Sequence, residues 1–316
     1  MLISHKLRRG YKIVLILPLL LVPIPLTGFT CVSFDGIAGS RYHIYLLDGD
    51  KIEFREIIDT GNCSIVGTQS LKNSYSSMFK FGTFIALSSI HKFSIYDIAD
   101  PLNIKLHSEC DAPLLRDMIY SEELHYIIGI SDTASIGIID VTEIKNPRAI
   151  FDKSAGVFCN INNLATKGNL LFIAEEVTGN IIIMDLSNRD EARTLGEVDT
   201  TLNNIHIFIH KNHLYASGYD RVEIYDLSDA TKPIKIKSVA MEQPLEQAIF
   251  INDTGYFINA YLPGILYVVD LSDPTLFKID KTIESKSGKI FDFTVIADYA
   301  YLVTWPDIEI VKCSRK

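Results

Sequence analysis

A short phrase, "ILYVVD", runs five apolar residues straight into the acid Asp270, and it recurs along the whole chain. It reads "FREIID" to Asp59, "FSIYD" to Asp97, "IGIID" to Asp140, "IIIMD" to Asp185 and "VEIYD" to Asp226. A last copy, "IEIVK", ends on Lys312 in place of the acid. The intervals between these end points are 38, 43, 45, 41, 44 and 42 residues. A period in the low forties belongs either to helical arrays or to the blades of a propeller.

The residues between the copies decide which. Upstream of each acid lies a second apolar run behind a polar tip, as in "KGNLLFIA" from Lys167, "KNHLYASG" from Lys211 and "NDTGYFINA" from Asn252. Before each tip stands another short run, such as "IHIFI" or "FTVI", and downstream comes a fourth, such as "IKIKSV" from Ile234. Short runs rich in Ile, Val, Tyr and Phe, separated by Asn, Asp, Gly and Pro, are strands joined by tight turns. No window carries a clean 3.6-residue apolar stripe. The 16 Phe and 15 Tyr fit the same reading. The expectation is an all-β chain: a seven-bladed β-propeller of four-stranded antiparallel blades. Six blades is the alternative, if the first copy is only a cap.

The two ends complement each other. The first copy, from Arg41, supplies second, third and fourth strands, and the last, from Phe291, supplies the first three. A strand from the N-terminal side, "TCVSF" at Thr30 to Phe34, is expected to complete the last blade and cover its open edge.

The acid sits where the third strand turns toward the fourth. In "DLSDPT" and "DIADPL" a second Asp follows, then Pro. A short carboxylate can accept N–H groups from the next residues and fix such a turn. Asp97, Asp140, Asp185, Asp226 and Asp270 are therefore read as structural turn acids.

These repeated endings resemble the LVIVD repeat family, and Arg116 to Pro147 looks like one whole repeat of it. The resemblance covers about residues 40 to 312. It implies a propeller of the kind found in exported or surface proteins of bacteria and archaea. The family offers no shared catalytic residues to carry over. Lys312 departs from the pattern, as does the tip at Glu122, Glu123 and Leu124, where the family is rich in glycine.

Residues 1–30 are set apart from the propeller expected over residues 31–316. "MLISHKLRRGYK" is basic, "IVLILPLLLVPIPL" is apolar, and a short polar step leads to Cys31. That is the layout of an export signal. The apolar stretch is short for a bilayer and holds Pro18, Pro23 and Pro25. A cleaved signal, a retained membrane anchor and lipidation at Cys31 all remain open. Each places the folded part outside the cytoplasm, secreted or tied to the cell envelope, with membrane contact only through the N-terminus.

The net charge is −9, and the first 30 residues hold Lys6, Arg8, Arg9 and Lys12 with no acid. The remainder is more acidic still. That balance opposes nucleic acid as a partner.

Site candidates are few. The entries of the first strands carry Ser76, Asp117, Asn162, Asn204, Gln247 and Asp292, a polar ring that could hold a small ligand at a channel mouth. The same side chains could instead bond to the next blade. His206 and His210 lie about 13 Å apart along a strand and cannot share an ion. "DGD" at Asp48 to Asp50 lacks the rest of a calcium loop and reads as a hairpin turn. No metal, cofactor or catalytic residue is assigned. Cys31 and Cys313 flank the chain ends and are expected to pair if Cys31 is not lipidated. The expected function is a non-catalytic, monomeric binding scaffold for a protein or glycan. A propeller hydrolase or lyase with a site at the channel mouth is the alternative.

Overall fold

The computed structural model describes residues 36–39, 43–59, 62–101, 103–131, 135–151, 161–188, 191–305 and 307–314. The signal or anchor over residues 1–30, the closing strand at Thr30–Phe34, Cys31 and Cys159 lie outside them.

All elements are strands, stacked as seven antiparallel sheets around a ring. Blades 1 to 6 span residues 36–70, 77–111, 115–151, 161–198, 206–240 and 247–284, each with four strands in sequence order. Blade 7, residues 292–312, has three strands among the described residues. The fold is a seven-bladed β-propeller. The first strand of blade 1, Gly36–Gly39, touches the first strands of blade 2 and of blade 7, so the innermost strands close on themselves.

The continuous apolar runs follow from this geometry. Successive residues of a strand point to opposite faces of its sheet, and both faces of a blade are covered by neighbours. In the second strand of blade 4, Leu171 and Ile173 enter the core shared with blade 3. Phe172 and Ala174, between and after them, enter the core shared with blade 5. Third strands such as Lys92–Asp97, Arg221–Asp226 and Ile265–Asp270 bury all four central residues and leave only their ends partly exposed. The buried apolar residues fall into seven clusters, one at each seam between blades. Each fully buried Leu, Ile or Phe is worth about 1.5–3 kcal/mol, and every seam holds several.

The closing seam between blades 7 and 1 is the sparsest, with Ile37, Ile44, Leu46, Tyr301 and Val303 as its buried residues. Two further devices hold it. A Cβ on Gly39 would stand 2.8 Å from Thr294 Oγ1, so only glycine lets these inner strands approach so closely. Arg55 of blade 1 donates across to Asp307 of blade 7 at 2.8 Å.

Candidate functional site

The ring has two faces. The turn face carries the turns from first to second and from third to fourth strands. The connection face carries the turns from second to third strands and the links from one blade to the next.

On the turn face the repeated acids bond to their own turns. Asp97, Asp140, Asp185, Asp226 and Asp270 each accept the backbone N–H two residues on, at 2.8–2.9 Å. Ser228 and Ser272 add hydroxyl bonds to Asp226 and Asp270. Asp229 and Asp273 repeat the motif with Thr231 and Thr275. The Ser228 bonds hold the Asp226 carboxyl below its ordinary range, and Ser187 does the same for Asp185. First-to-second turns place one residue at positive φ: Gly82 and Gly168, but also Lys211, Asn252 and Ala297. Lysines rail these tips together. Lys167 donates to Lys211 O at 3.0 Å and to Asn212 Oδ1 at 2.7 Å, and Lys211 donates to Asp253.

The polar ring predicted at the first-strand entries lies on the connection face. Asn162 is buried, and its Nδ2 donates to Ile205 O of the next blade at 2.8 Å. Asn163, which the sequence reading missed, bonds blade 5 twice: its Nδ2 donates to Ile207 O at 2.8 Å, and its Oδ1 accepts Ile207 N–H at 2.9 Å. Asp292 accepts the N–H of Phe293 at 2.9 Å. Asp117 sits exposed in a bulge at φ 47°, Asn204 is buried at φ 53°, and Gln247 opens the strand Gln247–Ile251. Ser76 is exposed, and its N–H donates to Ser88 O at 3.0 Å. At Asn162, Asn163 and Asp292, then, side-chain polarity serves backbone bonding.

Asp48–Lys51 form the hairpin turn expected of "DGD", with Gly49 at φ 56°. Cys313 is a free thiol, pushed up to about 12 by burial in the core between blades 6 and 7. Among the described residues, Cys63 packs at the closing seam. His210 and His213 face each other across a turn-face tip, with His210 stacked on Phe250 at 4.8 Å. Among the described residues no group of three or more His, Cys, Asp or Glu side chains is placed to hold a metal. No helix among them is long and apolar enough to cross a membrane.

The feature that sequence reasoning did not find is the character of the connection-face tips. In blades 2, 4, 5, 6 and 7 the second-to-third turn presents Ile90, Val177, Tyr219, Tyr261 with Leu262, and Trp305 to solvent, whereas that of blade 1 is the polar Asp48–Lys51. Leu262 is 75% exposed, Val177 65% and Trp305 54%. On the turn face, Leu276 is the one large exposed apolar residue within a turn, among the described residues. Each face carries an open recess. One of about 510 Å³ lies on the turn face against Tyr120, Glu122 and Glu123, and one of about 420 Å³ on the connection face against Ile90 and His91.

These tips are held rigidly. Thr200 Oγ1 donates to Gly179 O at 2.5 Å, and a Cβ on Gly179 (φ 74°) would stand 2.1 Å from Leu202 O. Met241 N–H donates to Asp220 O at 2.8 Å, and Asn259 Nδ2 donates to Pro244 O at 2.7 Å. Gly264 N–H donates to Gly288 O at 2.8 Å. The Glu309 carboxylate accepts from Ser285 Oγ, Lys286 N and Ser287 N. Blade 5 has a counterpart in Glu223, fully buried, which accepts from Lys235, from Tyr225 Oη at 2.6 Å and from Thr201 Oγ1 at 3.1 Å. Burial pushes the Glu223 carboxyl up, but these donors outweigh it and hold it low.

No protein-family model matches the chain. A stretch is 33% identical over 115 residues to geranylgeranylglyceryl phosphate synthase of Metallosphaera sedula, covering 31% of this chain and 40% of that protein. The chain thus spans less than half the length of that relative. Two crystal structures are similar in fold. One is the computationally designed Ika8 protein, with a TM-score of 0.60 and 9% identity, covering 89% of this chain and 96% of the other. The second is Sqt1 from Chaetomium thermophilum, with a TM-score of 0.63 and 11% identity, covering 89% and 83%. At these identities the likeness is one of fold.

Proposed function

We propose that the protein is an exported, non-catalytic scaffold that binds a protein or glycan partner on its connection face. The observation that carries this reading is the series of exposed apolar tips from Val177 through Tyr219, Tyr261 and Leu262 to Trp305. Large apolar side chains exposed on one side of a rigid fold offer anchor points for a partner, and Tyr and Trp are favoured among such anchors. The tips need no ordering on binding, because backbone bonds already fix them to the links beside them. The basic and apolar N-terminal segment supports export, as does the resemblance to LVIVD repeats.

A photo-crosslinking amino acid at position 261, and the same group at Ser272 on the turn face, test the reading in native cells. Position 261 should yield adducts with one discrete partner and position 272 should not. Equal labelling at both sites, or none at 261, overturns it. Mass measurement of the native N-terminus separates retained Met1, cleavage near residue 30 and a lipid on Cys31. Only an intact, cytoplasmic chain contradicts export.

A further inference from the structure

The apolar tips of blades 4 to 6 stand in a predominantly acidic setting. The loops that form this arc are 175–180, 199–205, 218–221, 241–246 and 260–264. They carry Glu175, Glu176, Asp199, Asp220, Glu242 and Glu246 against the single cation Arg221. Arg221 is already engaged: its Nη1 bonds both oxygens of Asp220, and its Nη2 donates to Thr201 O at 2.9 Å. Asp199, Asp220 and Glu242 are exposed on the loops of this arc, as are Val177, Tyr219 and Leu262. The link after blade 6 bonds the blade 6 tip through Gly264 N–H to Gly288 O and exposes Lys286 and Lys289, so the arc is acidic through blades 4 and 5 and meets cations at its blade 6 end.

We infer that the occupant of this arc is a polypeptide segment whose apolar side chains are flanked by lysines or arginines. This rests on the connection face being the binding face, and it names the chemistry of the partner. Three observations converge on it. The tips supply apolar anchoring points, spaced from blade to blade along the ring. The carboxylates between them form a field that steers cations in and repels anions. The hydrogen-bonded links set both in fixed positions, so a bound chain meets anchors and charges in constant register. An anionic lipid surface would meet like charge here. A neutral glycan would use the aromatic tips but leave the carboxylates without opposite charge.

The test uses the full-length chain in a mild detergent and three synthetic peptides of about 12 residues, which span roughly 40 Å when extended. All share two Leu and one Phe, and the remaining positions are all Lys, all Ser or all Glu. The Lys peptide should bind about tenfold or more tighter than the Ser peptide, and the Glu peptide weakest. Raising salt from about 0.05 to 0.5 M should erase most of the difference. Asp199→Lys with Glu242→Lys should remove the preference for Lys. Tyr219→Ser with Leu262→Ser should weaken binding about tenfold or more. All four positions are exposed, and unchanged urea midpoints will confirm that the variants fold.

Equal binding of all three peptides, lost in the Tyr219/Leu262 variant, overturns the cationic partner but leaves the binding face standing. So does binding only to a glycan array or to neutral phosphatidylcholine vesicles with the same sensitivity. Failure of every peptide also overturns the inference, and crosslinking at position 261 then decides separately whether the face has a partner.

Discussion

The turn face and the connection face are made by the same hairpins, yet they resolve their backbone polarity in different ways. On the turn face each acid bonds the residue two places on, so the third-to-fourth turns are closed from within, while Lys167 and Lys211 join the first-to-second tips of blades 4, 5 and 6. On the connection face the bonds run between segments: Thr200 to Gly179, Met241 to Asp220, Asn259 to Pro244. A turn that is stabilised by its neighbours does not need its own side chains for that purpose. Its tip can then carry a large apolar residue such as Tyr219. Local closure gives a polar face that tolerates substitution one turn at a time. Closure between segments gives a face on which one change is felt by two blades.

Glu223 offers the hardest test of that difference. It is fully buried and ties the link between blades 4 and 5 to the third strand through Thr201, while also holding Lys235 and Tyr225. Glu223→Ala leaves the Tyr225 hydroxyl and the Thr201 hydroxyl without their acceptor. The expected loss is about 3 kcal/mol in urea unfolding, in the range for breaking a buried charged network. Weaker peptide binding at Tyr219 should accompany it. A variant as stable as the parent would mean that the link is held by packing alone, and the contrast between faces would fail.

Asp185→Ala is the matching change on the turn face. It removes the acceptor for Ser187 N–H at 2.9 Å and Asn169 Nδ2 at 2.5 Å. The turn is partly solvated, so water replaces much of what is lost, and the cost should be about 1 kcal/mol. Binding at the connection face should be unchanged. If Asp185→Ala impaired binding as much as Glu223→Ala, the two faces would not be independent.

The turn face was legible in the sequence and the connection face was not, for the same physical reason. A turn acid acts on residues two positions away, so "DLSD" announces its own geometry. The continuous runs announced their blades because alternate side chains fill two different seams. What stayed hidden depends on contacts across blades. The strand Gly36–Gly39 reads "GIAG", with too little apolar content to be picked out; Gly39 permits the close approach to Thr294 and Ile296. The sequence leaves Asn162 open between a ligand and a bond to the next blade; its amide reaches Ile205, 43 residues on. Nothing local marks Tyr219 as exposed while Tyr215, four residues earlier, is buried. Which tip a neighbouring link covers is decided only when the ring closes.

Acid should distinguish the faces by a smaller effect. His210 and His213 lie side by side at the blade 5 tip of the turn face. Burial pushes both imidazoles below their ordinary value. Around His210, Lys211 lowers it further and Asp253 opposes; around His213, Asp226 and Asp273 oppose and Lys167 adds to the lowering. The folded protein therefore binds these protons less readily than the unfolded chain. Stability contributed by the neutral imidazoles is present above the ordinary value near pH 6.5 and is lost as pH falls through the lowered folded values. The turn carboxylates act in a separate window. Asp185, Asp226, Asp253 and Asp273 are held below the usual carboxylate range, so their contribution persists to about pH 4 and is lost below it. Between pH 7 and 5 the melting temperature should fall by roughly 1–2 °C, a small shift for a chain of this size. His210→Gln with His213→Gln should flatten that slope and leave the steeper fall below pH 4 intact. Protection factors, corrected for the slower intrinsic exchange at pH 5, should fall first at Lys211 to His213, while those at the tip of Tyr219 hold. A slope that survives in the double variant would move the acid-sensitive element away from the turn face and remove this last distinction between the two sides of the ring.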